Sequence, residues 1–335
     1  MKRNSSPFRH RRVLVLGASG FIGYWVARAL RAQGARVMCA VRSVEAAERL
    51  AHEHLGTVVV RRDLSDLASL ADWLPALRPS IVVNLAGYGV DRSERDPDDA
   101  DRMNHRLVEV LARTVGAMPH DDWEGVRLVH VGSALEYGTT GGVLTEASPC
   151  LPTTLYGRSK LAGTVALQRV VAETGVEACV ARLFTVFGPG EHVGRLLPTL
   201  MAAEASGAPV PLSEGKQRRD FAYVEDVAEG LMRLAVSDVH PGEVVNLATG
   251  VMHPVRTFVE SAADVMRLDR SRLQFGAAPT LPEEMVHDGV SVERLRALTH
   301  WSADDDITSG VARTMARATE ARQLAARPPD TASRR

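Results

Sequence analysis

Tyr156 and Lys160 stand four residues apart in Leu-Tyr-Gly-Arg-Ser-Lys. On a helix that spacing puts both side chains on one face. An unperturbed phenol has a pKa of about 10, too high for ready proton transfer at neutral pH. An ammonium one turn away favours the phenolate and lowers that value. Such a pair can give a proton to an alcohol/ketone couple or take one from it. The spacing is common, and a Tyr and a Lys with purely structural duties look the same in a sequence. The elements around the pair must therefore carry the rest of the argument.

Those elements alternate. Val-Leu-Val-Leu within Arg12 to Leu16 predicts a buried strand. A glycine-rich turn and a helix from about Phe21 to Gln33 follow, and Gly34 stops the helix. Further apolar strands are expected at Arg36 to Val41, Thr57 to Arg61, Ile81 to Leu85, Arg127 to Val131 and Cys179 to Phe184. Helical patterns lie between them, among them Ala100 to Val115 and the Tyr156 helix, which runs to about Thr174. Strands alternating with helices imply an α/β fold, a Rossmann-type doubly wound parallel sheet. After Gly188-Pro189-Gly190 the alternation breaks down. Residues 1–188 are therefore expected to form the dinucleotide-binding domain and 189–320 a smaller, mixed C-terminal substrate-binding region. A return to the main sheet is expected at about 219–250, and residues 321–335 read as a flexible tail.

Gly17-Ala-Ser-Gly20-Phe-Ile-Gly23 lies between the first strand and the first helix. Gly17 allows the tight turn, Gly20 lets backbone approach a pyrophosphate, and Gly23 lets the helix pack closely on the strand. Ser19, Phe21 and Ile22 complete the turn, and the helix N-terminus offers free N–H groups to the phosphates. An NAD site usually has an acid about 20 residues on, bonded to the ribose 2′-OH. Here the second strand ends Ala40-Val41-Arg42-Ser43, with no acid at its tip. Arg42 suits a 2′-phosphate, and this favours NADP(H). Arg42 lying over the adenine or simply solvated, and Glu45 a few residues late, keep NAD(H) open.

With these pieces in place the chain resembles the extended short-chain dehydrogenase/reductase family, in its nucleotide-sugar epimerase, dehydratase and ketoreductase branch. The motifs fall in family order from about Arg12 to Trp301. They include Asp63-Leu64, Asn84-Leu-Ala-Gly87, Asn104, Ser133-Ala-Leu-Glu-Tyr-Gly138, Tyr156 to Lys160, Arg182 to Pro189 and Arg219 to Asp226. The resemblance implies that Asp63 and Leu64 hold the adenine edge and that Leu85 and Ala86 lie along the cofactor. It implies that Asn104 supports the catalytic Lys through water and that Ser133 bonds the substrate carbonyl. Arg219 would grip a sugar-nucleotide pyrophosphate, although an ion pair with Asp220 is the plainer reading. Thr185 stands where relatives often have Asn, and Arg294 or Arg296 matches a late family Arg loosely. Dehydratases follow the Ser133 position with Asp-Glu; here Ala134-Leu135 follow, and Glu136 is a displaced acid.

Bulk properties narrow the partners. The chain has 335 residues, 45% hydrophobic and 24% charged, with a formal net charge of -1. That balance is ordinary for a globular protein and gives no nucleic-acid or membrane footprint. No apolar run reaches about 18 residues, so no transmembrane helix is expected. The basic first twelve residues and the apolar run after them read as the start of the first strand rather than as a signal peptide. Cys39, Cys150 and Cys179 are scattered, which suggests neither a disulfide framework nor a zinc site and makes a cytoplasmic location the expectation.

Together, the residues and the resemblance predict an NADPH-dependent ketoreductase. Its substrate would be a nucleotide-diphosphate-linked 4-keto-6-deoxyhexose, and Tyr156, Lys160 and Ser133 would be catalytic with Asn104 in support. An NAD-dependent nucleotide-sugar 4-epimerase is the alternative, and a non-catalytic NADP-binding regulator a remote one. A homodimer is implied by the resemblance alone.

Overall fold

Seven strands share one direction and form one sheet. In chain order they are β1 (Arg12–Leu16), β2 (Arg36–Val41), β3 (Val58–Arg61), β4 (Ile81–Asn84), β5 (Leu128–Ser133), β6 (Ala178–Leu183) and β7 (Val244–Leu247). Their spatial order is β7-β6-β5-β4-β1-β2-β3, and every neighbouring pair is parallel. The order reverses between β1 and β4, and in open α/β sheets ligands bind in the crevice at that switch point, outside the strands' carboxyl ends. The computed structural model describes residues 6–53, 55, 58–90, 93–280 and 284–325.

The strands are apolar on both sides because both sides are covered. In β1, Val13 and Val15 face one core with Trp25, Val26 and Leu30 of helix α1 (Phe21–Ala32) and with Val227 and Leu231 of the later helix Val224–Ala235. Leu14 and Leu16 face the other core. There they meet Leu70 and Leu74 of the helix Leu67–Leu77, and Leu107, Leu111, Leu167 and Val170 from two helices that matter for the site. Alternate side chains of a strand point to opposite faces, so this division follows directly from the sequence.

The first of those two helices runs Pro97–Asp101, passes through a π-wound turn over Arg102–Arg106, and continues as Leu107–Ala117. The second, Leu155–Thr174, starts where the Thr154 hydroxyl accepts a hydrogen bond from Gly157 N–H at 2.9 Å, and ends at Gly175 with φ +71°. The hydroxyl satisfies one of the helix's orphan donors, and the glycine supplies the left-handed turn that closes it.

β1 and β2 have the expected bounds, and β4, β5 and β6 differ from the expectation by one or two residues. The largest difference is β5, which continues to Ser133 rather than stopping at Val131. The expected start of β3 at Thr57 and most of the expected tail lie outside the described residues. The chain divides into two units. The first comprises Met1–Val186, Arg218–Met252 and Leu281–Asp305, and the second Phe187–Gln217, His253–Thr280 and Asp306–Arg335. The stretch 281–305, expected in the substrate-binding region, thus belongs with the sheet. In the second unit the helices Leu196–Ser206 and Val255–Met266 accompany a parallel strand pair, Val210–Leu212 with Leu273–Phe275. Phe187 packs edge-on against Phe258 there, at 5.1 Å between ring centroids.

Candidate active site

The turn after β1 is shaped by missing side chains. Gly17 has φ +80°, and a Cβ on it would lie 2.9 Å from Ala86 N and from the Leu85 carbonyl carbon. A Cβ on Gly23 would lie 2.2 Å from Gly17 O, so only glycine lets α1 come this close. Gly20 caps α1 without a side chain, and the first turn of α1 carries no acid. The first N–H groups of α1 are therefore available to an anion, as a pyrophosphate requires. Ser19 O accepts from Arg49 Nη2 at 2.6 Å, which ties the turn to the helix α2 (Val44–His52). These residues fit a dinucleotide: glycines make room, the first amides of α1 would face its phosphates, and Phe21 and Ile22 pack on the core.

Arg42 is exposed at the carboxyl end of β2, and the Ser43 hydroxyl caps α2 by accepting from Ala46 N–H at 3.1 Å. Asp63 follows β3. Its carboxylate accepts from Ser65 N–H at 3.0 Å, and that bond, with Ser65's hydroxyl and the nearby Arg42 and Arg102, holds it below the usual carboxylate range. Leu64 and Leu85 pack partly buried against the two cores, and Ala86 is buried.

The chemistry-bearing residues come together at the ends of β4 and β5. Ser133 is the last residue of β5 and starts a 3-10 turn, Ala134–Glu136. Lys160 is 4% exposed. Burial brings its ammonium down from 10.5 to about 8, with the Glu136 carboxylate opposing the shift. The segment after β4 runs across both members of the pair. A Cβ on Gly87 would stand 3.9 Å from Lys160 Nζ, and a Cβ on Gly89 would stand 3.2 Å from the Tyr156 ring. Gly89 thus leaves room for the Tyr156 ring, and Gly87 leaves room for Asn104, whose Oδ1 a Cβ there would meet at 3.0 Å. Gly89 was not singled out in the sequence, and its φ of +94° is visible only in three dimensions.

Asn104 sits in the π turn, fully buried. Its Oδ1 accepts from Tyr88 N–H at 2.9 Å, and its Nδ2 donates to Tyr88 O at 2.7 Å and to Ser159 Oγ at 2.9 Å. The amide thus fastens the Gly87–Gly89 segment to the Tyr–Lys helix. Its main-chain oxygen meets that helix at Gly163, where a Cβ would be 2.1 Å away. π turns recur at functional sites, and this one brings a loop and a helix together. Below, Asn84 Nδ2 donates to His130 Nδ1 at 3.1 Å while Asn84 Oδ1 accepts from Ala86 N–H, which assigns the imidazole hydrogen to Nε2. Burial, with the Lys160 charge adding, pushes His130 well below the usual imidazole range.

Glu136, the acid displaced from the family's positions, lies inside the protein. It is 0% exposed, and its carboxylate accepts from Ser133 N–H, Thr164 Oγ1 and Arg182 Nε. Two of the residues expected to meet substrate are engaged otherwise. Arg219 forms a two-pronged pair with Glu284, at 2.7 and 2.5 Å, in place of the expected alternative with Asp220. Asp220 is buried and accepts from Thr249 and Gly250. Arg294 is the second. Its guanidinium donates to Val244 O at 2.9 Å and lies 3.2 Å from Glu243, three residues before the level at which Leu247, Leu183 and Ser133 align. Thr185 follows β6 and is partly exposed. Among the described residues there is no cluster of His, Cys, Asp or Glu suited to a metal ion, and no helix long and apolar enough to cross a membrane.

A parallel sheet with an open phosphate-binding turn and a Ser–Tyr–Lys group at its carboxyl edge defines a nicotinamide-dependent oxidoreductase. Residues 13–263 match the NAD dependent epimerase/dehydratase family. The chain is 34% identical over 261 residues to a dTDP-6-deoxy-L-talose 4-dehydrogenase (NAD(P)(+)) of Kitasatospora kifunensis, covering 74% of this chain and 77% of that protein. It is 28% identical over 253 residues to a dTDP-glucose 4,6-dehydratase of Neisseria meningitidis serogroup B, covering 71% and 70%. A UDP-glucuronic acid 4-epimerase variant from Bacillus cereus superposes with a TM-score of 0.80 over 92% of this chain and 99% of that one; at 19% identity this shows the fold alone. The chain belongs to the NAD-dependent epimerase/dehydratase family and is an NAD(P)-dependent oxidoreductase of the extended short-chain dehydrogenase/reductase kind. The relatives it matches act on nucleotide sugars.

Proposed function

We propose that this protein is an NADPH-dependent ketoreductase of a nucleotide-diphosphate-linked 4-keto-6-deoxyhexose. The observation that carries this reading is the state of the three residues after Ser133. Eliminating water from a sugar needs an acid and a base at the ring. Ala134 and Leu135 offer neither, and Glu136 is buried with both oxygens engaged. What remains is a site for proton and hydride traffic at one carbon. The similarity to a 4-dehydrogenase of a dTDP-6-deoxy sugar supports the substrate class.

The bound nicotinamide supplies the hydride. The Tyr156 hydroxyl gives its proton to the oxygen of the carbonyl being reduced, and Ser133 Oγ holds that oxygen by a hydrogen bond. Lys160 holds the nicotinamide ribose, and its charge favours the Tyr156 phenolate left behind. Gly17, Ser19, Gly20, Phe21, Ile22 and Gly23 hold the pyrophosphate, while Asp63, Leu64, Leu85 and Ala86 line the rest of the dinucleotide. Arg42 at the tip of β2 favours NADPH, since an exposed guanidinium can pair with a 2′-phosphate. Arg219 binds the substrate diphosphate by exchanging Glu284 for phosphate oxygens.

The test is a stoichiometry. The purified protein is given NADPH or NADH with a nucleoside-diphosphate 4-keto-6-deoxyhexose. The expected result is one cofactor oxidised per sugar reduced, faster with NADPH. Tightly held NAD and interconversion of C4 epimers without net oxidation would instead make it a 4-epimerase. Cofactor binding without turnover of any keto sugar would point to a regulator.

A further inference from the structure

We propose that Glu136 is a positioning residue for the reaction: through its buried pair with Arg182 it locks the Ser133 turn to the Tyr156/Lys160 helix and directs a negative charge at Lys160. The inference rests on Ser133, Tyr156 and Lys160 forming the hydride-transfer site.

Glu136 joins three elements. Oε1 accepts from Ser133 N–H at 2.8 Å, and so fixes the main chain that carries the serine hydroxyl. Oε2 accepts from Thr164 Oγ1 at 3.0 Å, one helical turn beyond Lys160. The same oxygen accepts from Arg182 Nε on β6 at 2.8 Å. The pair is sealed, with 0% and 4% of the two side chains exposed. Arg182 extends the lock outward. Its guanidinium lies 4.6 Å from the centre of the Tyr137 ring, and Nη2 donates to Cys150 Sγ at 3.1 Å. The Tyr137 hydroxyl donates to Asn246 Oδ1 on β7 at 2.7 Å.

The surrounding backbone is cleared for this arrangement. A Cβ on Gly132 would stand 2.6 Å from Glu136 Oε1. A Cβ on Gly157, next to Tyr156, would stand 2.4 Å from Leu135 O. Any other residue at either place would part the turn from the helix. A buried ion pair is a poor way to gain stability, because well-packed apolar residues in its place are often as stable or more so. A pair that instead bonds the serine's own N–H and the helix of the Tyr and Lys is suited to holding reacting groups in register. Misplacement by about 1 Å is enough to cost roughly 100-fold in rate.

The test compares the wild-type enzyme with Glu136→Gln and with the double variant Glu136→Gln/Arg182→Met, which leaves no buried charge unpaired and is expected to fold with a near-native Tm. In both variants kcat should fall at least about tenfold while KM for the keto sugar stays nearly constant. The affinity for NADPH, titrated by fluorescence across pH, gives a second readout that needs no sugar. The charged and titratable groups around Lys160 are Glu136 from the turn after β5, with Arg182 of β6 paired to it, His130 from β5 itself and Tyr156 one turn back on its own helix. Glu136 favours the charged lysine while the paired Arg182 opposes it, so in Glu136→Gln, which keeps the arginine, the basic limb of the affinity profile should move to lower pH by about half a unit or more. A double variant with wild-type kcat, or a Glu136→Gln variant with an unmoved basic limb, overturns the proposal and leaves the pair as a packing element. If the wild-type enzyme reduces no keto sugar, the reading of the site fails by itself, and the NADPH profile still decides the role of Glu136.

Discussion

The turns after β1 and after β5 both lie at the carboxyl edge of one parallel sheet, yet they are made of opposite materials. After β1 the chain removes side chains: three glycines, an uncapped helix start and no acid in its first turn. After β5 it buries polar groups: Ser133, Glu136 and Arg182 in one network, with Asn104 and Lys160 alongside. A pyrophosphate needs only space and N–H groups, which backbone supplies. Proton transfer needs groups whose charge and orientation differ from their behaviour in water, and only burial with specific partners supplies that. The two turns should therefore fail differently when altered.

The largest effect is expected at the polar end. Tyr156→Phe keeps the ring against Gly89 and removes the proton donor, so kcat should fall roughly 100- to 10,000-fold. Cofactor titration should show a nearly unchanged Kd. A loss of binding equal to the loss of rate would move Tyr156 to the role of a wall.

The glycine turn gives a sharper contrast within itself. Gly23→Ala drives a methyl to 2.2 Å from backbone that cannot yield, so stability should drop by about 1–3 kcal/mol or more and cofactor affinity with it. The nearest atom to a Cβ on Gly20 is Gly17 O at 3.3 Å, and its φ of -83° suits any residue. Gly20→Ala should therefore keep its Tm within a few degrees and still bind NADPH about tenfold or more weakly, because the methyl stands where phosphate must approach. Equal losses of Tm in the two variants would mean that the turn is a packing feature only.

A third test falls outside both turns. Glu191 lies in the second unit with a side chain 8% exposed, and burial raises its carboxyl from 4.5 to about 7, against the pull of Arg195. A group raised in the folded state supports folding below its unfolded pKa, and that support is lost as pH rises through the folded value. Glu191→Gln should thus gain stability over the wild type between about pH 4.5 and 7, by up to about 3 kcal/mol, and hold that gain above pH 7. Melting curves at pH 5 and pH 8 check this; no difference between the two would place the carboxylate in contact with water. The smallest effect is expected at Arg42. Arg42→Ala should cut the preference for NADPH over NADH by about tenfold, read as the ratio of kcat/KM values.

The contrast between the turns also governs what could be read in advance. Gly17, Gly20 and Gly23 lie within seven residues, and Tyr156 and Lys160 within one helical turn, so local spacing, read with the elements around it, exposes them. Two of the three partners of Glu136 are not local: Thr164 is 28 residues away and Arg182 is 46. The Arg219–Glu284 pair spans 65 residues, and nothing nearby in sequence marks either member as engaged. Asn104 was identified, but its use as a clamp on Tyr88 was not, because a π turn has no clear sequence signature. Arg294 is engaged across the sequence in the same way. Its place in a loose alignment suggested substrate, while its actual partners, Val244 and Glu243, hold the amino end of β7.

The central claim is that one hydride is delivered to the sugar and kept there. NADPH carrying deuterium at the transferring position of nicotinamide C4, supplied with a nucleoside-diphosphate 4-keto-6-deoxyhexose, tests it most directly. Mass spectrometry and NMR of the product should find one deuterium at sugar C4 for each NADPH oxidised, and none should be transferred by Tyr156→Phe on the same timescale. Product that forms without deuterium while the NADPH remains unspent would contradict the account.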